Sequence, residues 1–370
     1  MRIATYNVEN LFDRAKVMNQ QTWAEGREVL TDFAALNRLL GKVTYTAGDK
    51  TKMIALMKEL GLEKSDQGKF VILRRNRGKL LKRPQAGGIE IVAEGRADWA
   101  GSLELIEEPI DEESMRNTAR VVRDVNADIL AVVEAEHRPG LCVFNETLLK
   151  AADGKPYPSV MLIDGNDERG IDVGILTRDG FSIERMNSHV DDRTANGDHV
   201  FSRDCPEYWI RTAGGTEVIV LVNHFKSKGF GSPAKSNARR KEQAARVAEI
   251  YETLRSDGHT MIAVVGDFND TPDSDPLSPL VGKTDLKDIF THPNFEDDGH
   301  PGTFGLANAA NKIDYILLSP KLFEKVESGG VFRKGVWPGV QPKRWDVYDE
   351  VARPEDAASD HAAVWADLDV

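Results

Sequence analysis

The sequence predicts an α/β protein with a large hydrophobic core. Three observations indicate this class: short apolar runs bounded by turn residues recur along the chain, amphipathic helical stretches lie between some of them, and 370 residues are enough for a sizeable core. Hydrophobic residues make up 41% of the chain and charged residues 29%, which is typical of globular proteins rather than disordered or fibrous ones. We therefore expect a main domain that extends over residues 1–370.

Seven short apolar runs are predicted to form buried strands, because turn residues bound each of them. They are residues 3–8, 129–133, 173–176, 218–222, 261–265, 313–318 and 362–365. Two stretches, 113–125 and 237–258, carry apolar residues at helical spacing, and the second closes at Asp257-Gly258. Helices that interleave with strands in this way support the α/β class.

One block, from about residue 40 to about residue 110, does not follow this alternation. It contains a short helical piece and then the strand-like runs FVILRR, GIEIVAEG and SLELIEE. We expect a small β-rich subdomain inserted between the first strand and its partner helix. Residues 69–83 within it carry seven Lys or Arg and no acid. Such a segment is either a solvated hairpin edge, where cations discourage edge-to-edge pairing, or an arm that contacts a polyanion.

Cysteine content and the N-terminal residues bear on the compartment. Cys142 and Cys205 are the only cysteines, which is too few for a disulfide framework and fits a reducing compartment. The chain enters the strand-like stretch MRIATYNV at once, and no apolar run approaches the length needed to span a bilayer. We expect a cytoplasmic protein without a membrane segment, unless a leader has been removed. The net charge of −12 argues mildly against a surface coated for nucleic acid binding.

Polar side chains that could carry out chemistry stand where the predicted strands begin or end. Asn7, Glu134, His224, Asp267 and Asn269 follow the ends of strands, whereas Asp314, Asp360 and His361 stand at the beginnings. In a mixed or antiparallel sheet, strand ends and strand beginnings share one rim. We therefore expect all eight side chains to converge at one place.

The segment VVGDFNDTPDSDPL concentrates negative charge directly after a buried strand. Asp267, Asn269, Asp270, Asp273 and Asp275 fall within nine positions. A divalent cation would offset the repulsion among neighbouring carboxylates, and hard cations prefer oxygen ligands of this kind. Such an ion can also polarise a phosphoryl oxygen. The pattern therefore indicates a metal site, with Asp270, Asp273 and Asp275 expected to be loop residues or supports of the ligands.

Seven segments of the chain resemble the endonuclease/exonuclease/phosphatase superfamily, typified by deoxyribonuclease I and exonuclease III. They are ATYNVENLF, DILAVVEAE, RGIDVGILTR, VNHFKSKG, GDFNDTP, NKIDYILLS and ASDHAAV, which occur in the family's order and cover 1–13 and about 115–370. The resemblance implies a two-sheet α/β sandwich of the deoxyribonuclease I-like, four-layer type, here with the small β-rich insertion. It also implies hydrolysis of a phosphoester by in-line attack of water, with help from a divalent metal.

The resemblance implies a metal site and names its ligands. Asn7 and Glu134 match the family's metal-site amide and glutamate, and Asp360 matches a further metal-site or phosphate-site carboxylate. The implied cofactor is Mg²⁺, with Mn²⁺ or another divalent cation as alternatives. The family usually has Gln before the metal-site glutamate, and Val133 stands there in this chain. Because that Gln is not an obligatory ligand, we expect the site to be retained, with a different orientation of its neighbours.

The resemblance also implies the catalytic roles. Asp267 is similar to the residue that orients or deprotonates the attacking water, and Asn269 to the amide that holds a phosphate oxygen. His361 is similar to the general acid or phosphate-binding histidine, with Asp314 as its orienting partner. His224 matches a second histidine of the deoxyribonuclease I branch. An aspartate behind an imidazole fixes the tautomer and raises the pKa of the ring, which favours the protonated form beside a phosphate.

Three further residues are candidates for substrate binding, each with a structural alternative. Arg169 contacts a phosphate or forms a structural salt bridge. Asp172 braces His224 or takes part in such a bridge. Lys226 is a phosphate contact or a surface cation. The sequence leaves each pair of alternatives open.

The function expected from these features is a divalent-metal-dependent nuclease that hydrolyses phosphodiester bonds of DNA or RNA. The first alternative is a phosphodiesterase or phosphatase that acts on a small-molecule or lipid phosphoester, which the acidic net charge favours. The second is a catalytically inactive binding module, which the presence of the whole set of candidate residues disfavours. Nucleic acid is thus the expected partner and a small phosphoester the alternative. The sequence does not determine the oligomeric state.

Overall fold

The computed structural model describes residues 1–11, 13–18, 23–109, 113–167, 170–228, 232–340 and 343–370. The chain folds into two compact units, one formed by Met1–Phe12 with Asp111–Val370 and the other by Asp13–Ile110. No helix in these described ranges combines the length and the apolarity needed to cross a membrane. We call the unit formed by Met1–Phe12 with Asp111–Val370 the main unit, and the unit Asp13–Ile110 the inserted unit.

The main unit contains a seven-stranded sheet of mixed direction. Its central strand, Arg2–Leu11, pairs in parallel with Ile129–Ala135 and antiparallel with Ala363–Leu368. In spatial order its strands are Phe295–Glu296, Val326–Phe332, Ala363–Leu368, Arg2–Leu11, Ile129–Ala135, Asp172–Thr177 and Ser159–Leu162. The predicted runs at residues 3–8, 129–133, 173–176 and 362–365 all lie on strands of this sheet.

A second, six-stranded sheet carries the remaining predicted runs. Glu217–His224 pairs in parallel with Ile262–Asp267, and Ile262–Asp267 pairs antiparallel with Asp314–Leu318. In spatial order its strands are Ser182–Asn187, Glu207–Arg211, Glu217–His224, Ile262–Asp267, Asp314–Leu318 and Lys287–Asp288. The helices of the main unit are Glu113–Val125, Arg138–Glu146, Leu148–Ala151, Pro233–Ser256 and Pro320–Phe323.

The two sheets and their helices form four layers, which confirms the predicted fold class. Alternate residues of each strand face opposite sides of its sheet, so one strand contributes to two cores. Ile3 and Ala263 belong to the core between the sheets. Ala4 packs on the side of Glu113–Val125, and Val264 packs on the side of Pro233–Ser256.

The inserted unit has its own hydrophobic core and contains two helices beside its strands. The helices are Trp23–Leu40 and Ala47–Glu59, and the strands are Asp13–Ala15, Val71–Gly78, Leu81–Lys82, Glu90–Ile91, Trp99–Leu105 and Glu107–Pro109. The unit begins at Asp13 rather than near residue 40, because the first helix buries Leu36 and Leu40 in the same core as Trp99. We propose that residues 1–370 form one domain that this unit interrupts.

Acids of the same unit pair with part of the basic segment 69–83 of the inserted unit. Four of its seven cations form ion pairs: Arg74 with Glu104 at 2.5 Å, Arg75 and Arg83 with Asp66 at 2.6 and 2.8 Å, and Lys82 with Glu90 at 2.9 Å. Cations that are already paired with carboxylates attract a polyanion less strongly. This pairing favours the interpretation as a solvated hairpin edge.

Candidate active site

The predicted convergence of strand ends and strand beginnings occurs at one rim of the main unit. The parallel pairing places His224 opposite Asp267, and the antiparallel pairing places Asp267 opposite Asp314. In the other sheet, Asn7 pairs with Val133, the residue before Glu134. The carboxyl ends of four strands and the amino ends of two therefore meet, as the mixed direction of the sheets requires.

The amide of Asn7 is the central polar group of this rim. Its Nδ2 atom lies 3.2 Å from Glu134 Oε1, 3.3 Å from Asp267 Oδ2 and 3.4 Å from His361 Nε2. Asn7 is 1% exposed, so these neighbours, rather than bulk water, determine its orientation. Its Oδ1 accepts the backbone N–H of Glu9 at 3.0 Å. The contacts bring together groups from positions up to 354 residues apart.

Asp267 is a buried carboxylate at the end of its strand. The amide of Asn269 donates from Nδ2 to Asp267 Oδ2 at 3.0 Å and to the carbonyl oxygen of Phe225 at 3.2 Å. The backbone N–H of Asn269 donates to Asp267 Oδ1 at 2.8 Å, which closes an Asx-turn. Burial, together with the repulsion from Asp314, raises the pKa of Asp267 to about 7.

His361 and Asp314 form a buried pair, as the sequence predicts. His361 Nδ1 lies 2.9 Å from Asp314 Oδ2, which also accepts the hydroxyl of Thr303 at 2.6 Å. Burial disfavours the imidazolium, but the attraction of Asp314 outweighs it and raises the pKa of His361 to about 10. His361 Nε2 faces the other way, 3.9 Å from Asp267 Oδ2 and 3.7 Å from Asp360 Oδ1.

The second histidine lies between two carboxylates of the rim. His224 Nε2 is 3.6 Å from Glu134 Oε1 and 3.7 Å from Asp267 Oδ2.

Three non-glycine residues of the rim have a left-handed backbone: Glu9 with φ 49°, Glu134 with φ 68° and Asn269 with φ 54°. Such conformations are uncommon for residues other than glycine and cluster at functional sites.

A cavity of about 520 Å³ opens at this rim, which is within the size range of small-ligand sites. Its polar walls come from Glu9, Glu134, Arg203, His224, Ser227, Lys228, Asp267, Asn269, Asn311, Asp360 and His361. Six of the predicted site residues line it directly: Glu134, His224, Asp267, Asn269, Asp360 and His361. Asn7 and Asp314 contact those residues from behind the wall.

The structure treats the three remaining candidates differently. Arg169 lies outside the described residues. Asp172 is buried and accepts the backbone N–H of Gly165 at 2.8 Å, and burial raises the pKa of its carboxyl to about 6. Lys226 donates its backbone N–H to Gln243 at 2.8 Å. In the part of the wall that the structure describes, Lys228 rather than Lys226 lines the cavity.

Glu9 and Arg203 line the wall and were not among the predicted site residues. The carboxylate of Glu9 accepts the backbone N–H of Asp360 at 2.8 Å, and its place two residues after Asn7 was the available signal. Arg203 is 2% exposed and forms an ion pair with Asp167 at 3.1 Å. A lone arginine inside the apolar and aromatic stretch VFSRDCPEYWI was the signal for it. Buried arginine is rare unless it is paired.

The donors at the rim fit a hard divalent cation. Carboxylates of Glu9, Glu134, Asp267 and Asp360 line one cavity, and burial raises the pKa of Asp360 as well as that of Asp267. Crowded carboxylates with raised pKa values are stabilised as anions when a cation binds among them. Asp267, Asp314 and His361 also offer atoms within 4.8 Å of one another. However, Asp314 Oδ2 is occupied by His361 and Thr303, so oxygen ligands at the open wall fit better.

The four-layer fold with this cavity has the architecture of the deoxyribonuclease I-like class. The family model described as "Endonuclease/Exonuclease/phosphatase family" matches residues 84–330, which is more than half of the chain. The chain belongs to the endonuclease/exonuclease/phosphatase family, whose members are hydrolases that act on phosphoester bonds. A comparison with curated proteins gave no match.

Solved structures of similar fold include three named proteins. A mannosyl-6-phosphatase of Bacteroides thetaiotaomicron VPI-5482 is 19% identical, with a TM-score of 0.50 over 70% of this chain and 91% of that chain. Truncated TDP2 of Caenorhabditis elegans is 18% identical, with a TM-score of 0.49 over 68% and 88%. The human nocturnin catalytic domain is 14% identical, with a TM-score of 0.47 over 69% and 85%. At these identities the likeness concerns the fold alone.

Proposed function

We propose that this protein is a divalent-metal-dependent nuclease that hydrolyses phosphodiester bonds of DNA or RNA. The observation that carries the proposal is the buried pair of His361 and Asp314, whose imidazole faces the carboxylate of Asp267 in one cavity at 3.9 Å. A carboxylate and an imidazolium that line the same cavity can act as a base and an acid on the same substrate.

Each of these side chains has a proposed task in the in-line attack of water on phosphorus. Asp267 orients the attacking water and accepts its proton. Asn269 holds the Asp267 carboxylate through two hydrogen bonds, at 2.8 and 3.0 Å, in addition to its predicted contact with a phosphate oxygen. His361, kept in one tautomer by Asp314, donates a hydrogen bond to the phosphoryl group or a proton to the leaving oxygen. His224, whose Nε2 lies 3.7 Å from Asp267 Oδ2, serves as a second donor.

The metal belongs among the oxygen ligands of the rim. Asn7, Glu134 and Asp360 are the residues that we propose to hold Mg²⁺ or Mn²⁺. When bound, the ion supplies charge that offsets the negative charge of the phosphate in the transition state. Arg203 and Lys228 add two cationic side chains to the cavity wall, and we propose that they attract the substrate phosphate.

A substrate panel tests the proposal directly. Plasmid, single-stranded DNA and RNA are incubated with the protein and Mg²⁺ or Mn²⁺, and separately with a chelator, and the products are resolved on gels. We expect cleavage with metal and none with chelator. Intact nucleic acid in every lane that contains metal would contradict nuclease function.

A second candidate substrate is a small phosphoester. Two observations favour it: the net charge is −12, and four of the seven cations of segment 69–83 are paired with acids. Turnover of p-nitrophenyl phosphoesters without cleavage of nucleic acid would establish this alternative. An absence of turnover on both panels would instead support a binding module without catalysis.

A further inference from the structure

A buried ion pair lies behind the wall of the cavity and is not part of the proposed chemistry. Arg240 is completely buried on the helix Pro233–Ser256, and its Nε lies 3.0 Å from Asp270 Oδ2. Asp270 is 5% exposed and directly follows Asn269. Taking both charges out of water costs free energy, so an arrangement of this kind calls for an explanation beyond stability.

Arg240 connects the two loops that carry active-site residues. Its Nη1 atom donates to the carbonyl oxygen of Lys226 at 2.8 Å, two residues after His224. Its Nη2 atom donates to Asn237 Oδ1 at 2.5 Å. The planar guanidinium directs these donors in fixed directions. One helix residue therefore fixes the loop after His224 and the loop after Asp267 together.

Asp270 also binds a second cation, which lies at the cavity. Lys228 Nζ is 2.6 Å from Asp270 Oδ1, and the Lys228 side chain is 54% exposed and lines the cavity. The backbone N–H of Thr271 donates to the same oxygen at 3.1 Å, and the hydroxyl of Tyr315 donates to the Asp270 carbonyl at 2.7 Å. The carboxylate that holds Lys228 is thus itself held from several sides.

The charges of the three groups sum to one positive charge at the cavity wall. The negative charge of Asp270 is offset by Arg240, so the ammonium of Lys228 is fixed without being neutralised. With Asp270 alone, the pair at the wall would be electrically neutral. A lysine side chain loses rotamer entropy when it is immobilised, and here part of that loss precedes substrate binding. A cation fixed in this way binds an anion at lower cost.

We propose that Lys228 binds a phosphoryl oxygen of the substrate and that Asp270, supported by Arg240, is the positioning residue that holds it there. The proposal rests on the proposed phosphoesterase function, and it assigns to Asp270 a task distinct from that of Asp267. It also predicts that Asp270 affects substrate binding, and therefore KM, mainly through Lys228.

A double-mutant cycle with bis(p-nitrophenyl) phosphate and Mn²⁺ tests this dependence. We expect K228M to raise KM about tenfold or more, as the loss of a charged hydrogen bond does, with little change in kcat. K228R should recover most of the loss. D270N should raise KM by a similar factor in the wild-type background and by less than about twofold in the K228M background. Equal effects of D270N in both backgrounds would overturn the proposal.

The chain contains a matched control for the buried pair. Lys241, the next residue of the same helix, pairs with Asp275 of the same loop at 2.9 Å, but its side chain is 46% exposed and that of Asp275 is 78% exposed. D275N should leave KM and kcat unchanged. A KM increase in D275N equal to that in D270N would show that any tether between helix and loop suffices, and would also overturn the proposal.

Two provisions keep the test decisive. D270N leaves the charge of Arg240 buried without a carboxylate partner. If this variant unfolds, the double variant R240M/D270N, which removes both charges, takes its place. We expect the same KM increase from it. The affinity for inorganic phosphate, measured by calorimetry with Mg²⁺, provides a reading that does not need turnover. A wild-type protein that binds phosphate but hydrolyses no phosphoester would refute the proposed function alone. Equal phosphate affinity of wild type and K228M would refute the positioning proposal.

Discussion

Charged side chains are arranged in opposite ways at the cavity and in the inserted unit. At the cavity, Asp267 and His361 are buried, and their surroundings shift the pKa of each by several units, to about 7 and about 10. In the inserted unit, Arg74 and Glu104 pair at 2.5 Å with side chains 55% and 41% exposed. Strongly shifted pKa values are typical of functional groups. Exposed ion pairs contribute little to stability, because water solvates both partners. The comparison indicates that the burial of the charged side chains, rather than their number, distinguishes the site from the surface.

The largest expected effect comes from Asp267→Asn, which removes the proposed base and keeps its shape. We expect kcat on a phosphodiester to fall about a thousandfold or more, because positioned general bases contribute on this scale. The variant should remain folded, since it also removes the repulsion between the carboxylates of Asp267 and Asp314. Steady-state kinetics and a thermal melt measure the two outcomes. Asp275→Asn in the same loop is the control, and an active Asp267→Asn enzyme would contradict the assignment.

The next effect in size is that of Asp314→Asn. Asp314 holds His361 Nδ1 at 2.9 Å, so its removal frees the ring to rotate and to change tautomer. We expect kcat to fall about a hundredfold, with KM changing much less, because the imidazole acts mainly in the transition state. Steady-state kinetics, which give the change in kcat and the change in KM separately, test this prediction. A rise in KM at constant kcat would indicate instead that His361 binds the ground state and the transition state equally.

The candidate site could be largely predicted from the sequence because its residues stand at the ends of recognisable strands. Asn7, Glu134, Asp267, Asp314 and His361 each flank an apolar run, and the direction of the strands then determines where their side chains meet. The four-layer class followed from the same runs together with the family resemblance.

The ion pairs around the site could not be predicted, because long-range packing brings their partners together. Arg203 belongs to no strand end, and only the folded chain brings it beside Asp167. The pairing of Asp270 with Arg240 joins residues 30 positions apart on a loop and a helix. The inserted unit begins at Asp13 rather than near residue 40 because its first helix buries Leu36 and Leu40 in the shared core, which the sequence pattern does not show.

A third prediction concerns His189, a charged group of the main unit outside the cavity. His189 Nε2 lies 2.7 Å from Glu207 and Nδ1 lies 3.1 Å from Asp192. Burial disfavours its imidazolium, but the bond to Glu207 and the attraction of Asp192 outweigh it and raise the pKa of His189 above 6.5. Because the folded state binds this proton more tightly, the stabilisation is complete below pH 6.5 and is lost as pH rises through the folded pKa.

The measurement for His189 is the free energy of unfolding as a function of pH. Wild type should lose stability from about pH 6.5 upward, and His189→Gln should show a flatter profile over that range. His292, which lies near the surface against Phe323, supplies the matched control His292→Gln, which should retain the wild-type slope. Identical slopes for wild type and His189→Gln would show that the proton on His189 contributes nothing to folding.

The smallest change in stability is expected for the exposed ion pair of the inserted unit, Arg74 with Glu104. Arg74→Ala should leave the free energy of unfolding almost unchanged, because water replaces the lost partner of Glu104. If segment 69–83 is a solvated edge, the variant should also bind nucleic acid as wild type does, with the same dependence on salt. A shallower salt dependence in Arg74→Ala would show that this cation contacts phosphates, since each such contact releases counterions. In that case Arg74 exchanges Glu104 for a phosphate when nucleic acid binds, and the inserted unit takes part in substrate recognition.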